Sequence, residues 1–215
     1  TAEDPVEITQ PGLRQVQVHP KIDFTFANAM RAFLRAVPDV IMVGEMRDHE
    51  TAATGIEASL TGHLVLSTLH TNSAPETITR LLDMEIDPFN FADALLGILA
   101  QRLIRTLCKE CKEQYAPTQE EFAEIMQEYG LEQWQKLNIK YSPDIKLFKP
   151  KGCAKCNNSG YKGRMGIHEL LVATDDMKRM IQKREAVEKM RVQAMKDGMT
   201  TLLQDGIQKV TAGHN

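Results

Sequence analysis

The 215-residue sequence has little excess charge of either sign, no long uninterrupted apolar run and only four cysteines, and each shortage removes a class of protein. Its 26 basic and 29 acidic side chains leave a net charge of −3. That balance gives no electrostatic reason to expect a nucleic acid partner. The longest apolar segment, within Phe89 to Leu107, is interrupted by Asp93, Gly97, Gln101, Arg102 and Arg105. A membrane-spanning helix needs about 20 consecutive apolar residues, so no transmembrane segment is expected. What remains, 42% hydrophobic and 26% charged, is the material of one globular domain plus a smaller module.

The few cysteines are informative by their spacing. Cys108-Lys109-Glu110-Cys111 and Cys153-Ala154-Lys155-Cys156 are two CxxC pairs separated by 41 residues, with none left over. A CxxC knuckle lets two thiolates reach one tetrahedral ion, and two knuckles complete a closed structural zinc site. Disulfides are the alternative in an oxidising compartment. Lys109, Lys112, Lys151 and Lys155 flank the cysteines and would offset the double negative charge of a tetrathiolate zinc, or else lie solvated.

The run VIMVGEMRD, Val40 to Asp48, reads as a buried parallel strand ending at Gly44-Glu45. Ligands of open α/β sheets bind at the carboxyl ends of such strands. A carboxylate there, followed by Arg47 and Asp48, suits Mg²⁺ and an attacking water; a core strand ending in an ordinary solvated loop is the competing reading. Upstream, TAEDPVE (Thr1 to Glu7) packs three carboxylates around a proline. Downstream, TGHLVLSTLHTN (Thr61 to Asn72) is a second apolar strand with a histidine at each end, and only His70, at the carboxyl end, shares an edge with Glu45.

Periodicity predicts a strand over Leu13 to Val18 and a helix from Phe24 to Val37 stopped by Pro38. A second helix follows from about Glu50 to Leu60, and a third is capped by Ser73 with Pro75 in its first turn. This strand–helix–strand rhythm implies a parallel α/β sheet. A long helix is expected from about Phe89 to Leu107, placing Arg102 and Arg105 three apart on it. Pro117 to Glu121 starts a capped helix that Gly130 ends near Tyr129. The rest of the segment between the CxxC pairs is polar, with the Pro143 and Pro150 region extended. A short strand at Ile167 to Val172 and two or three amphipathic helices from Asp175 to Val210 complete the chain.

In order and spacing, TAEDPVE, VGEMRD with the following His-Glu-Thr-Ala, and TGHLVLSTLHTN resemble the aspartate box, atypical Walker B motif and histidine box of secretion ATPases. The likeness extends through Ala100-Gln101-Arg102-Leu103 and the cysteines to about Leu171. The resemblance implies an α/β fold: a partial RecA-like parallel sheet with helices, a zinc-binding insert and a C-terminal helical subdomain. It divides the chain into an ATPase core part (residues 1–107), the tetracysteine insert (108–160) and the helical subdomain (161–215). It implies ATP and Mg²⁺ as ligands besides Zn²⁺ on Cys108, Cys111, Cys153 and Cys156. Glu45, Glu3 and His70 would be catalytic, the two carboxylates sharing metal and water and the histidine meeting the γ-phosphate. Glu3, Asp4, Glu45, Arg47 and His70 would line the cofactor.

The implied setting is a homohexameric motor at the cytoplasmic face of the inner membrane, held through platform proteins, driving type II secretion or type IV pilus assembly. Pilus-retraction members typically lack the paired CxxC module, so the resemblance implies secretion or assembly. One departure is large: the family's GxxxxGK[ST] phosphate loop is absent. Ser159 to Arg164 is glycine-rich but lacks the spacing. The chain therefore reads as the C-terminal part of a longer enzyme and is predicted to be inactive alone. A zinc-stabilised interaction module without a catalytic role is the alternative.

Overall fold

A computed structural model of the protein describes residues 1–213. In chain order the elements are β1 (Ala2–Glu3), β2 (Val16–Gln17), α1 (Phe26–Arg35), β3 (Val40–Val43), α2 (His49–Leu60), β4 (Leu64–Ser67), α3 (Ala74–Asp83) and α4 (Pro88–Ala94). Then come β5 (Gly97–Leu107), β6 (Glu113–Tyr115), α5 (Gln119–Tyr129), α6 (Leu131–Leu137), β7 (Leu147–Lys149) and β8 (Tyr161–Val172). Helices α7 (Asp175–Gln182), α8 (Val187–Lys196) and α9 (Leu202–Thr211) follow. They form an α/β fold of two compact units, Thr1–Ile98 with Leu171–Asp197, and Leu99–Leu170 with Gly198–Asn215, of which the described part ends at Gly213.

The first unit is built on a four-stranded sheet of order β2-β1-β3-β4, parallel throughout. Each connecting helix starts where a short polar side chain satisfies the free N–H groups of its first turn. Thr25 accepts from Asn28 N for α1, Asp48 from Thr51 N for α2, and Ser73 from Glu76 N for α3, which carries its proline in the first turn. Met30 and Ala58 meet Ile41 and Val43 in one core cluster, and Ala29 meets Ala2 and Val18 in another. Burying a side chain such as Met30 or Ile41 contributes about 1.5–3 kcal/mol. Helices α7 and α8 pack on α4 and α3.

Three sequence expectations need correction in this unit. Only Val16–Gln17 of the span Leu13 to Val18 is strand, because β1, its sole partner there, is itself two residues long. β3 is buried on one face only: Ile41 and Val43 point into the core, whereas Val40 and Met42 are exposed, beside Leu64 and Leu66 of β4 in register. The expected long helix is two elements. α4 stops at Ala94, Leu95 turns extended, and Gly97 opens β5. Leu, Ile and Arg fit either period, and pairing with β8 decides for strand. Arg102 and Arg105 consequently lie on opposite faces of a strand, with Arg105 stacked 4.4 Å over the Tyr161 ring.

The second unit holds the β5-β8 ribbon and an antiparallel β6-β7 pair in the register Gln114↔Phe148. Thr118 and Glu121 close a capping box on α5, which ends at Gly130 in a backbone conformation (φ 95°) that L side chains rarely adopt. The segment between the CxxC pairs is less loop-like than its polarity suggested. Phe122, Tyr129 and Trp134 of α5 and α6 form their own buried cluster, with edge-to-face rings 5.3 and 5.5 Å apart. Trp134 Nε1 donates to Ile139 O at 2.9 Å. β8 starts at Tyr161, earlier than expected.

Helix α9 fastens the second unit. The buried Gln204 donates to Tyr129 O (2.8 Å) and Gln208 to the Tyr129 hydroxyl (2.6 Å). His168 N donates to Asp205 (2.7 Å), Lys209 to Gly166 O (2.8 Å) and Leu202 N to the buried Glu169 (3.2 Å). Just past the helix, Gly213 O accepts from Lys112 Nζ at 2.7 Å.

Candidate functional site

Parallel pairing brings the carboxyl ends of β1, β3 and β4 to one edge of the sheet, with Ala2 beside Val43 and Val43 beside Ser67. Gly44 permits this edge to close: its N–H donates to Ala2 O at 2.8 Å, and an added Cβ would stand 3.2 Å from that oxygen and 3.4 Å from the Phe26 ring. Beyond the last register pair, Met46 N donates to Thr68 O (3.0 Å) and the Thr68 hydroxyl donates to Gly44 O (2.5 Å).

Glu45 emerges between those bonds. Its side chain is only 12% exposed; Oε1 pairs with the Arg47 guanidinium, and Oε2 lies 3.4 Å from His70 Nε2. That contact is close enough for charge but is no hydrogen bond, and Oε2 is buried without a hydrogen-bond partner. Leaving such an oxygen unsatisfied costs about 1–3 kcal/mol or more when it is charged, so it calls for an explanation. The hydrogen bond to Glu45 holds the Arg47 guanidinium above its ordinary range.

The other sequence candidates divide. Asp4 and Arg47 line one cavity of about 210 Å³ together with Asp48, Thr51, Thr25 and Phe26. Glu3 turns elsewhere: its Oε1 accepts from Thr1 Oγ1 and from Gln15 Nε2 (3.0 Å), and these bonds hold its carboxyl below the ordinary range. Asp48 is engaged by the first turn of α2, accepting from both Thr51 N and Thr51 Oγ1. His63 stands at the opposite end of β4 and donates from Nδ1 to Ala58 O at 3.0 Å. Gln15 and Thr68 were missed in the sequence. Nothing in composition marks a hydroxyl or amide whose partner lies at the end of another strand.

In the second unit Cys108, Cys111, Cys153 and Cys156 converge, all four sulfurs within 4.8 Å of one another. Sulfur pairs stand 3.8 Å apart for Cys111 and Cys156, 3.8 Å for Cys153 and Cys156, and 4.0 Å for Cys108 and Cys153. A regular tetrahedron with zinc–sulfur bonds of ~2.3 Å has edges of about 3.8 Å, whereas a disulfide needs ~2.05 Å. The donor set and its spacing thus fit a tetrathiolate ion, and the cysteines are unpaired. Burial pushes the Cys111 thiol up to about 12. Burial acts the same way on Cys156, but N–H groups of Cys153 and Gly160 aimed at its sulfur, together with the thiols of Cys153 and Cys111, outweigh it and draw the thiol down to about 6. The flanking lysines have other partners: Lys151 pairs with Glu113 (2.7 Å), Lys155 with Glu110 (3.4 Å), and Lys112 lies 3.9 Å over the Phe148 ring.

The chain thus joins a parallel α/β unit that gathers acid, arginine and histidine at its strand ends to a second unit that carries a tetracysteine cluster. The chain belongs to the family described as Type II/IV secretion system protein, whose model matches residues 1–215. It is 46% identical over 213 residues to the Type II secretion system ATPase E of Vibrio cholerae serotype O1, covering 99% of this chain and 40% of that protein. It is also 46% identical to the Type IV pilus assembly ATPase PilB of Thermus thermophilus, covering 99% of this chain and 23% of that protein. Among solved structures, the pilus retraction motor PilT with bound ADP superposes with a TM-score of 0.64 at 26% identity, over 100% of this chain and 48% of that one. The chain thus spans well under half the length of the curated relatives named here. Among the described residues no helix is long and apolar enough to cross a membrane.

Proposed function

We propose that this chain forms part of a motor ATPase that couples ATP hydrolysis to type II secretion or type IV pilus assembly. The observation carrying this reading is Glu45 Oε2, a buried and unpartnered carboxylate oxygen at the carboxyl edge of the sheet, beside His70, in a chain 46% identical to proteins named as such ATPases. Phosphoryl transfer asks chiefly for positioning and charge neutralisation. Bound Mg²⁺ supplies the charge that screens the phosphates. Glu45 would orient the attacking water, Arg47 pairs with its carboxylate, and His70 would offer Nε2 to the γ-phosphate. Asp4, which lines the cavity beside Arg47, shares the cofactor work, and Glu3 would join it by exchanging its bonds to Thr1 and Gln15 for the metal.

The phosphate-cradling loop that the sequence lacks would come from a longer polypeptide, since the curated relatives extend well beyond the matched span. In this proposal residues 1–107 carry the catalytic contribution. Residues 108–160 hold Zn²⁺ on the four cysteines as a structural ion, and 161–215 support the assembly. The complete protein acts as a homohexamer at the cytoplasmic face of the inner membrane, through platform proteins and without nucleic acid. The test is Glu45→Gln in the full-length protein: turnover falls about 100-fold or more, the scale of a lost acid–base or water-orienting group, while nucleotide binding is kept. Unchanged turnover would favour a zinc-stabilised interaction module.

A further inference from the structure

We propose that Thr68 is a positioning residue for Glu45, fixing the peptide groups on both sides of it; this rests on the proposed role of Glu45. The two residues flanking Glu45 are both bonded to one residue of the neighbouring strand. Gly44 O accepts from the Thr68 hydroxyl at 2.5 Å, and Met46 N donates to Thr68 O at 3.0 Å. β3 ends at Val43 and β4 at Ser67, so this clamp stands past the last ladder pair. There a side-chain hydroxyl joins a backbone carbonyl in closing the strand ends.

Glu45 needs such a clamp. One of its oxygens has no hydrogen bond, and the other leans on Arg47, whose side chain is 64% exposed. Neither contact fixes the direction of the carboxylate; the backbone must. Thr68 itself is exposed and belongs to neither buried cluster of the unit, and its hydroxyl bonds to the Gly44 carbonyl rather than to Glu45. Its β-branch restricts χ1 and so aims the hydroxyl. Displacements of about 1 Å at a reacting group cost as much as 10²-fold in rate.

Thr68→Val keeps the shape and removes the donor, and Thr68→Ser keeps the donor. In the full-length motor, Thr68→Val lowers kcat for Mg-ATP hydrolysis about tenfold with KM within twofold, and Thr68→Ser recovers most of the loss. A structural role alone would not divide kcat from KM in this way. In a double-mutant cycle Thr68→Val adds no further loss to Glu45→Gln, because the residue to be positioned is already disabled. Should the valine variant fail to fold, Thr68→Ser against Thr68→Ala makes the same comparison. Turnover of Thr68→Val within twofold of wild type, or an equal further loss in the Glu45→Gln background, overturns the proposal and leaves Glu45 standing. Full turnover of Glu45→Gln overturns both.

Discussion

Replacing Cys153 by serine, or stripping the metal with a chelator, opens a loop whose closure can be valued. The 41 residues between Cys111 and Cys153 are held at their ends by sulfurs of all four cysteines within 4.8 Å. The chain-entropy relation for a cross-linked loop of that size gives about 4 kcal/mol. At about 4–8 °C per kcal/mol for a unit of about 90 residues, the unfolding transition of the second unit should fall by about 16–32 °C. The aromatic cluster of α5 and α6 lies within the loop yet has its own core, so Trp134, the only tryptophan and 2% exposed, should keep its blue-shifted emission when the metal leaves. Calorimetry and fluorescence on reduced protein with its zinc content measured, about one ion per chain, and on the chelated form read both quantities. An unchanged transition after verified zinc loss, or two stable disulfides in the native protein, refutes the cross-link. A red shift of Trp134 would refute the independence of the aromatic core.

In the full-length protein His70→Ala depresses hydrolysis, whereas His63→Ala acts through stability alone, by about 1 kcal/mol for its hydrogen bond to Ala58 O; equal catalytic defects in two well-folded variants contradict this. Glu3 titrates below the ordinary carboxylate range because Thr1 and Gln15 donate to it, so its stabilising contribution is present above that range and lost as pH falls through the depressed value. Gln15→Ala moves the Glu3 titration upward in carboxyl NMR, and an unmoved curve rules out the bond as its cause. The chain alone, which lacks GxxxxGK[ST], neither binds Mg-ATP at micromolar affinity nor turns it over, a result that calorimetry can reverse. The exposed face of Val40, Met42, Leu64 and Leu66 gives the isolated chain weak self-association, and sedimentation showing a clean monomer at high concentration argues otherwise.

Local signals were legible wherever a short side chain and an apolar period agreed. Ser73 with Pro75 placed α3, Thr118 with Glu121 and Gly130 bounded α5, and Pro38 and Gly44 framed β3. Parallel topology, inferred from that rhythm, put Glu45 and His70 at one edge and His63 at the other. Long-range pairing was not legible. β5 is strand because β8, more than fifty residues later, pairs with it, and a mixed Leu-Ile-Arg run carries no period that says so. The aromatic core between the CxxC pairs was hidden because its three large rings are scattered among charges, Phe122 and Trp134 being twelve positions apart. The bonds from Gln15 to Glu3 and from Thr68 to Gly44 depend on strand register, which no single segment contains.

Helix α9 has a mechanical consequence. It is anchored to the Tyr129 backbone and hydroxyl, to β8 at Gly166, His168 and Glu169, and through Gly213 to Lys112, the residue next to Cys111. Tension applied along this helix is distributed over α5, β8 and the segment beside Cys111, so no single bond carries the whole load. An ion held by the four cysteines would act as a rivet at one end of that path.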